Sequence, residues 1–306
     1  MNPITLSREQ IEKILPYSGP ILLPDRIEVL SENTARGLKA LSFNDMVYQG
    51  HFPNHPITPG VLQVEAMFQT ASILLKDKLD PEETKDIYIK RISKVKFRKP
   101  ALPGDRLLID VEVKSFDGTE AEISASNRVR DGVACQANFT ISVRERVFNL
   151  PVADDFTEID KPAQPEMDIT RIMELIPHRY PFLLVDYIAS VDGARVVAVK
   201  NVTATEPFVR YYAPGYATLP SSIQVEIIAQ AGCVHTLMRP ENKGKLAYFM
   251  SISNMEYFAP ARPGDQLEIV VDTPPGGSKF GKGAGQIKVD GKTIAQGNIA
   301  FALVDG

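Results

Sequence analysis

Two stretches of the chain lack a polar face altogether. Residues 61–75 read VLQVEAMFQTASILL and residues 221–238 read SSIQVEIIAQAGCVHTLM. Apolar and small residues fall on every side of a 3.6-residue period, which predicts helices buried all round rather than surface helices with one apolar stripe. Elsewhere polar and apolar positions alternate with period two, as in DRLLIDVEVKSF and AEISASNRVRDGVACQANFTISVRE, the mark of half-buried strands. The pairs Asp131-Gly132, Asp192-Gly193 and Asp290-Gly291 lie between alternating runs and predict hairpins. Short helices are expected at Ser7–Leu15 and Ile169–Ile176. Late strands joined by short turns favour an antiparallel sheet and an α+β class, with the sheet curling around the long helix.

The pattern is written twice. LPYSGPILLPDRI from Leu15 matches IPHRYPFLLVDYI from Ile176, and LQVEAMFQTA from Leu62 matches IQVEIIAQAG from Ile223, both at an offset of 161 residues. FRKPALPGDRL from Phe97 matches YFAPARPGDQL from Tyr257 at an offset of 160. Three blocks in one order at nearly constant spacing mark two homologous domains, 1–148 and 168–306. Residues 149–167 between them are rich in proline and acidic residues, with little apolar periodicity, and predict an exposed, stiff linker.

Composition narrows the function. Of 306 residues 44% are hydrophobic and 24% charged, ordinary globular usage. The net charge of −4 argues against a general nucleic-acid binder. No apolar run reaches the ~18 residues of a membrane span, and the opening residues lack the pattern of a secretory leader. Two isolated cysteines, Cys135 and Cys233, exclude a disulfide framework and favour a reducing, cytoplasmic setting. The four histidines and two cysteines show no metal-binding spacing, so neither a metal nor another cofactor is expected.

Each all-apolar helix carries one charge, Glu65 in the first and Glu226 in the second. A buried carboxylate without a partner should hold its proton, as a general acid does; a carboxylate satisfied by backbone N–H groups is the plain alternative. Pro59-Gly60 opens the first helix, where free N–H groups and the helix dipole can receive a carbonyl oxygen, and a simple turn would look the same. His51 lies in a proline-rich loop nine residues earlier and could fold back over that helix start as a base. His55 in the same loop reads as a surface or packing residue.

GHFPNHPITPGVLQVEAMFQ closely resembles the active-site segment of the bacterial 3-hydroxyacyl-acyl-carrier-protein dehydratases of the FabZ type. ISKVKFRKPALPGDRL and LIPHRYPFLLVDYI resemble further blocks of that family. The resemblance implies a hot-dog fold, here a double hot dog: two antiparallel sheets, each wrapped around a long central helix. It also implies dehydration of (3R)-hydroxyacyl thioesters, with His51 as the catalytic histidine, Gly60 as the oxyanion glycine and Glu65 and Glu226 as the catalytic glutamates. Pro59, Val61 and Phe52 fall in the substrate-binding segment. In this family each site joins a histidine from one unit to a carboxylate from the other.

The second copy departs from the pattern. Tyr212 stands where His51 would, and Ser221 where Gly60 would. The first copy has YSGPI in place of HRYPF. One site per chain is therefore expected, built from His51, Gly60 and Glu226, with Glu65 facing Tyr212 in a degenerate second site; the competing assignment pairs His51 with Glu65. Met67, Phe68 and Ile228 are candidates for an acyl tunnel, though a plain core role suits each. Lys94, Lys96, Arg98 and Lys99 form a basic run that could dock an acidic acyl carrier protein, and the second copy is not basic there. A homo-oligomer of the tandem chain and a chain standing alone are both compatible with this reading. A thioesterase and a non-catalytic partner subunit are the rival readings, since the fold serves both.

Overall fold

The computed structural model describes residues 3–15, 17, 19–130, 132–148, 164–213, 215–274 and 279–305, with the side chains of Tyr212 and Ala213 outside that description. Most of the expected linker therefore lies outside the described residues. The first repeat runs β1 (Ile4–Leu6), α1 (Arg8–Ile14), β2 (Arg26–Val29), β3 (Thr34–Ala40), α2 (Gly60–Leu79), β4 (Lys85–Phe97), β5 (Arg106–Phe116), β6 (Glu120–Val129) and β7 (Gly132–Glu145). The second runs α3 (Ile169–Leu175), β8 (Tyr187–Asp192), β9 (Arg195–Asn201), β10 (Arg210–Ala213), β11 (Tyr216–Thr218) and α4 (Ser221–Leu237). It closes with β12 (Lys245–Tyr257), β13 (Gln266–Asp272), β14 (Phe280–Val289) and β15 (Lys292–Asp305).

The expectation of two sheets needs one correction. Each half wraps its own helix, but β4 pairs antiparallel with β12, and the halves fuse into one 13-stranded sheet ordered β1-β2-β3-β5-β6-β7-β4-β12-β15-β14-β13-β9-β8. The seam has an internal twofold: Lys96 faces Ser251, and Arg91 faces Glu256, the same pair after the 160-residue offset. Pairing β4 with β12 removes what would otherwise be two unpaired strand edges, one in each repeat. Strand β1 was not foreseen. It pairs with β2 at the rim of the sheet and is too short for periodicity to register.

Helix α2 packs on strands of the first half and α4 on strands of the second, and the two helices touch each other. Both are buried on all sides, as their composition predicts. α2 runs a turn beyond the expected end, where buried Lys76 pairs with buried Asp80 at 3.4 Å. One glutamine in each helix fixes the neighbouring loop. Gln69 Nε2 donates to the Ile21 carbonyl, at 2.8 Å, and its Oε1 accepts from Leu23 N–H. Gln230 repeats this with Phe182 and Leu184. No helix among the described residues is long and apolar enough to cross a membrane.

Candidate active site

A cavity of about 420 Å³ opens at the N-terminus of α2 and runs along α4. His51, Phe52, Gly60 and Phe97 from the first repeat and His178, Glu226, Ala229, Cys233, Phe249 and Phe301 from the second are among its walls. His51 sits in the loop ahead of α2. Its Nδ1 lies 2.8 Å from the Ile57 carbonyl oxygen. A carbonyl only accepts, so Nδ1 carries the hydrogen and Nε2 keeps its lone pair. Phe52 stacks on the ring at 4.1 Å, and Phe182 meets it edge-on at 5.3 Å. His51 faces the cavity, yet its surroundings are close: burial above all, then the charge of His178, pushes it down to about 4. It is a neutral base at pH 7.

Glu226 comes from the other repeat, one and a half turns into α4. Ligating atoms of His51, His178 and Glu226 all lie within 4.8 Å of one another, so the His51 imidazole of one repeat meets the Glu226 carboxylate of the other. Glu65 lies elsewhere: its carboxylate accepts from Ser222 Oγ at 2.7 Å and Gln69 Nε2 at 3.0 Å. Whether Tyr212 faces it falls outside the described side chains.

The expectation that Glu226 stays protonated is overturned. Burial does push its carboxyl up, but the His178 hydrogen bond and the charges of His178 and His51, with Gln230, outweigh burial and hold it below the usual carboxylate value. The helix supplies one charge, but the fold gives that charge partners. His178 Nε2 stands 3.3 Å from Oε1, and Gln230 Nε2 donates to the same oxygen at 3.0 Å.

Sequence reasoning singled out the HRYPF loop but gave His178 no role; it sits over the site because that loop docks against the His51 loop. Arg179 N–H donates to the Gly50 carbonyl at 3.0 Å. A Cβ on Gly50 would meet the Arg179 carbonyl oxygen at 2.1 Å, so only glycine allows this approach. The family's block, present in one copy and absent from the other, was the available signal.

Gly60 is the first residue of α2, and its N–H has no intrahelical acceptor. Its lack of a side chain also serves Phe97, whose ring would lie 2.5 Å from a Cβ there. Pro59 is the N-cap, and the Val61 side chain is buried in the core, so Val61 can offer substrate only its main chain. Met67, Phe68 and Ile228 are core residues away from the cavity, and smaller Ala229 and Cys233 line it instead. Period-two alternation puts Lys94, Lys96 and Arg98 on the outer sheet face, while Arg98 and Lys99 also reach the cavity mouth.

The cluster of two imidazoles and a carboxylate has donor types that hold cations. A metal-bound imidazole almost always anchors its second nitrogen. His178 Nδ1 is buried with no hydrogen-bond partner, so the cluster fits acid–base chemistry better than a metal centre.

A model of the FabA-like domain matches this chain twice, over residues 15–135 and 176–298. The chain is 44% identical over 138 residues to the 3-hydroxyacyl-acyl-carrier-protein dehydratase FabZ of Bacillus velezensis, a match spanning 98% of that protein and 45% of this one. Among solved structures, the dehydratase domain from the CurJ module of curacin polyketide synthase superposes with a TM-score of 0.62 at 13% identity, over 94% of this chain and 98% of that one. The acyl-CoA thioesterase II TesB2 of Mycobacterium marinum superposes with a TM-score of 0.55 at 11% identity, over 94% and 98%. At such identities the structural likeness speaks for the fold alone.

Proposed function

The chain belongs to the FabA-like family, carrying its domain twice, and from that premise we propose that it dehydrates (3R)-hydroxyacyl thioesters to trans-2-enoyl thioesters at one site shared by its halves. The carrying observation is the meeting of His51 from one repeat with Glu226 from the other at the head of an apolar cavity. The thioester carbonyl oxygen binds the Gly60 N–H at the positive end of α2, which stabilises enolate charge as it develops. Neutral His51 takes the C2 proton through Nε2. The C2–H electrons form the C2=C3 bond, the C3–O bond breaks, and the leaving hydroxyl takes a proton on the Glu226 side of the site to depart as water. The apolar walls exclude bulk water from the enolate.

The test follows hydration of an enoyl thioester, the same reaction read backwards. Glu226→Gln should lose about 10²–10⁴ in turnover, the usual worth of a positioned proton donor. Glu65→Gln should stay within a few-fold of the parent. The reverse pattern would overturn the shared site, and release of free thiol with no change in the double bond would favour a thioesterase.

The substrate is delivered by an acyl carrier protein, and Arg98 and Lys99 at the mouth, with Lys96 on the adjoining outer sheet face, supply the positive surface for an acidic carrier. Reversing the charges of Lys96 and Arg98 should raise KM for carrier-bound substrate and leave KM for a short free thioester unchanged. Equal loss on both would remove the docking role.

A further inference from the structure

An ionised carboxylate has no proton to release, yet a hydroxyl leaving C3 needs one. Three titratable groups meet at the head of the cavity: His51, His178 and Glu226. The other titratable walls are His55, Arg98 and Lys99 toward the mouth, and Tyr248 and Cys233. His51 is committed to C2, and its Nδ1 is tied to the main chain. His178 is the remaining group. It is buried, its Nε2 is 3.3 Å from Glu226 Oε1, and its ring lies edge-on to His51 at 5.5 Å and to Phe52 at 5.0 Å. Its place is not accidental packing. The Arg179 side chain donates to the carbonyls of Ile176 and His178, at 2.9 and 2.6 Å, and the Arg179 main chain is fixed to Gly50. These bonds hold the His178 segment against both repeats.

We propose that His178 is a positioning residue for the acid, sharing a proton between its Nε2 and Glu226 Oε1 and so supplying the proton that Glu226 passes to the leaving hydroxyl. The inference rests on the dehydratase reading and deepens it. The balance is closed. His51 gains the C2 proton, the hydroxyl gains one from the His178–Glu226 pair, and the C3–O electron pair leaves with the oxygen as water. After product release the pair regains a proton and His51 loses one, so no other reactant is consumed. The degenerate site lacks this partner, since the 161-residue offset places Tyr17 where His178 stands. A phenol is a poor proton store near neutrality.

The test compares His178→Gln with His178→Leu in the full chain. Glutamine keeps an N–H donor near Glu226 but has no ionisable proton to give; leucine keeps only bulk. Both variants should lose about 10²-fold or more in kcat with KM within a few-fold, the scale of a general acid step. The high-pH limb of kcat should move to lower pH in both, because the acid then depends on Glu226 alone. A glutamine variant with the parental kcat and pH profile would overturn the proposal and leave His178 a packing residue. A second measurement is independent of turnover: histidine imidazole resonances recorded by NMR at about pH 7, with His178 assigned by its loss in His178→Gln. Glu226→Gln should displace the His178 resonances, because the ring loses the carboxylate oxygen 3.3 Å from its Nε2. Glu65→Gln should leave them unmoved. His178 resonances indifferent to Glu226→Gln would also overturn the proposal. If the parent protein turned over no hydroxyacyl or enoyl thioester, the function reading would fail, while the resonances would still decide the pairing of His178 with Glu226.

Discussion

The two pseudo-equivalent sites are built from the same positions and have opposite fates. Around Glu226 the residues are small or open: Gly60, Ala229 and Ala247 line a cavity with two imidazoles at its head. Around Glu65 the offset brings Ser221 for Gly60, Phe68 for Ala229 and Tyr17 for His178, and the 160-residue offset of β4 and β12 brings Ile87 for Ala247. Those groups fill the space. Arg210, 2% exposed, lies 3.6 Å from the fully buried Asp86, donates to the Tyr17 hydroxyl at 3.0 Å, and has its guanidinium over the Phe68 ring at 5.8 Å. Arg144 and Tyr216 complete the partners of Asp86 at 2.6 and 3.3 Å. The Tyr257 hydroxyl donates to the Ser221 carbonyl at 2.7 Å, at the helix start that corresponds to Gly60. At the mouth, the end of the first repeat lies over the second: Arg262 donates to the Val147 carbonyl, and Phe148 meets the Tyr216 ring at 5.7 Å. On the proposed shared site, one pseudo-equivalent position carries the chemistry and the other acts as a joint between the halves.

That contrast can be broken at the joint first. Asp86→Ala removes the carboxylate from a buried Arg210 and should destabilise the protein by about 3–5 kcal/mol, the cost of leaving a buried charge unpaired. Urea unfolding measures it, and an unchanged midpoint would mean that the ion network is ornamental. Next, Ala229→Phe copies the filling of the degenerate site into the working one. It should lower kcat/KM more than tenfold for a long acyl thioester, since each methylene denied burial costs about 0.8 kcal/mol. A four-carbon trans-2-enoyl thioester should be spared, and equal loss on both would place the chain elsewhere. The smallest effect is in pH. With His51 held at about 4, the base is neutral throughout pH 6–8, and its limb of kcat/KM should be flat within twofold there. A histidine of ordinary value would lose about fourfold from pH 8 to pH 6. The same shift links to stability: between about pH 6.5 and 4 the unfolded chain binds a proton at His51 that the folded chain refuses, so stability falls as pH falls through that window. Glu226, also lowered, acts in the same direction below its ordinary value.

Much of this was legible from residue pattern. The all-round apolar helices, the duplicated blocks and the hairpin turns led to the strand and helix order, and the uneven loss of His51 and HRYPF led to the shared site proposed above. Three things were not legible. The β4–β12 seam depends on which strand edges meet, and alternation says nothing about that. The ionisation of Glu226 depends on His178, a neighbour 48 residues away that no helical periodicity can supply. The filled second site rests on Asp86 and Arg210, each an ordinary charge in its own strand, and only their meeting across the pseudo-twofold reveals the function of either.

The seam between β4 and β12 also changes how the enzyme responds to dilution. In a dimer of separate hot dogs, every working site contains groups from two molecules, and the population of complete sites falls with protein concentration. Here the partner half is held on the same chain, at an effective local concentration that does not depend on how much protein is present. Specific activity should therefore stay constant on dilution, even if larger assemblies of the chain come apart.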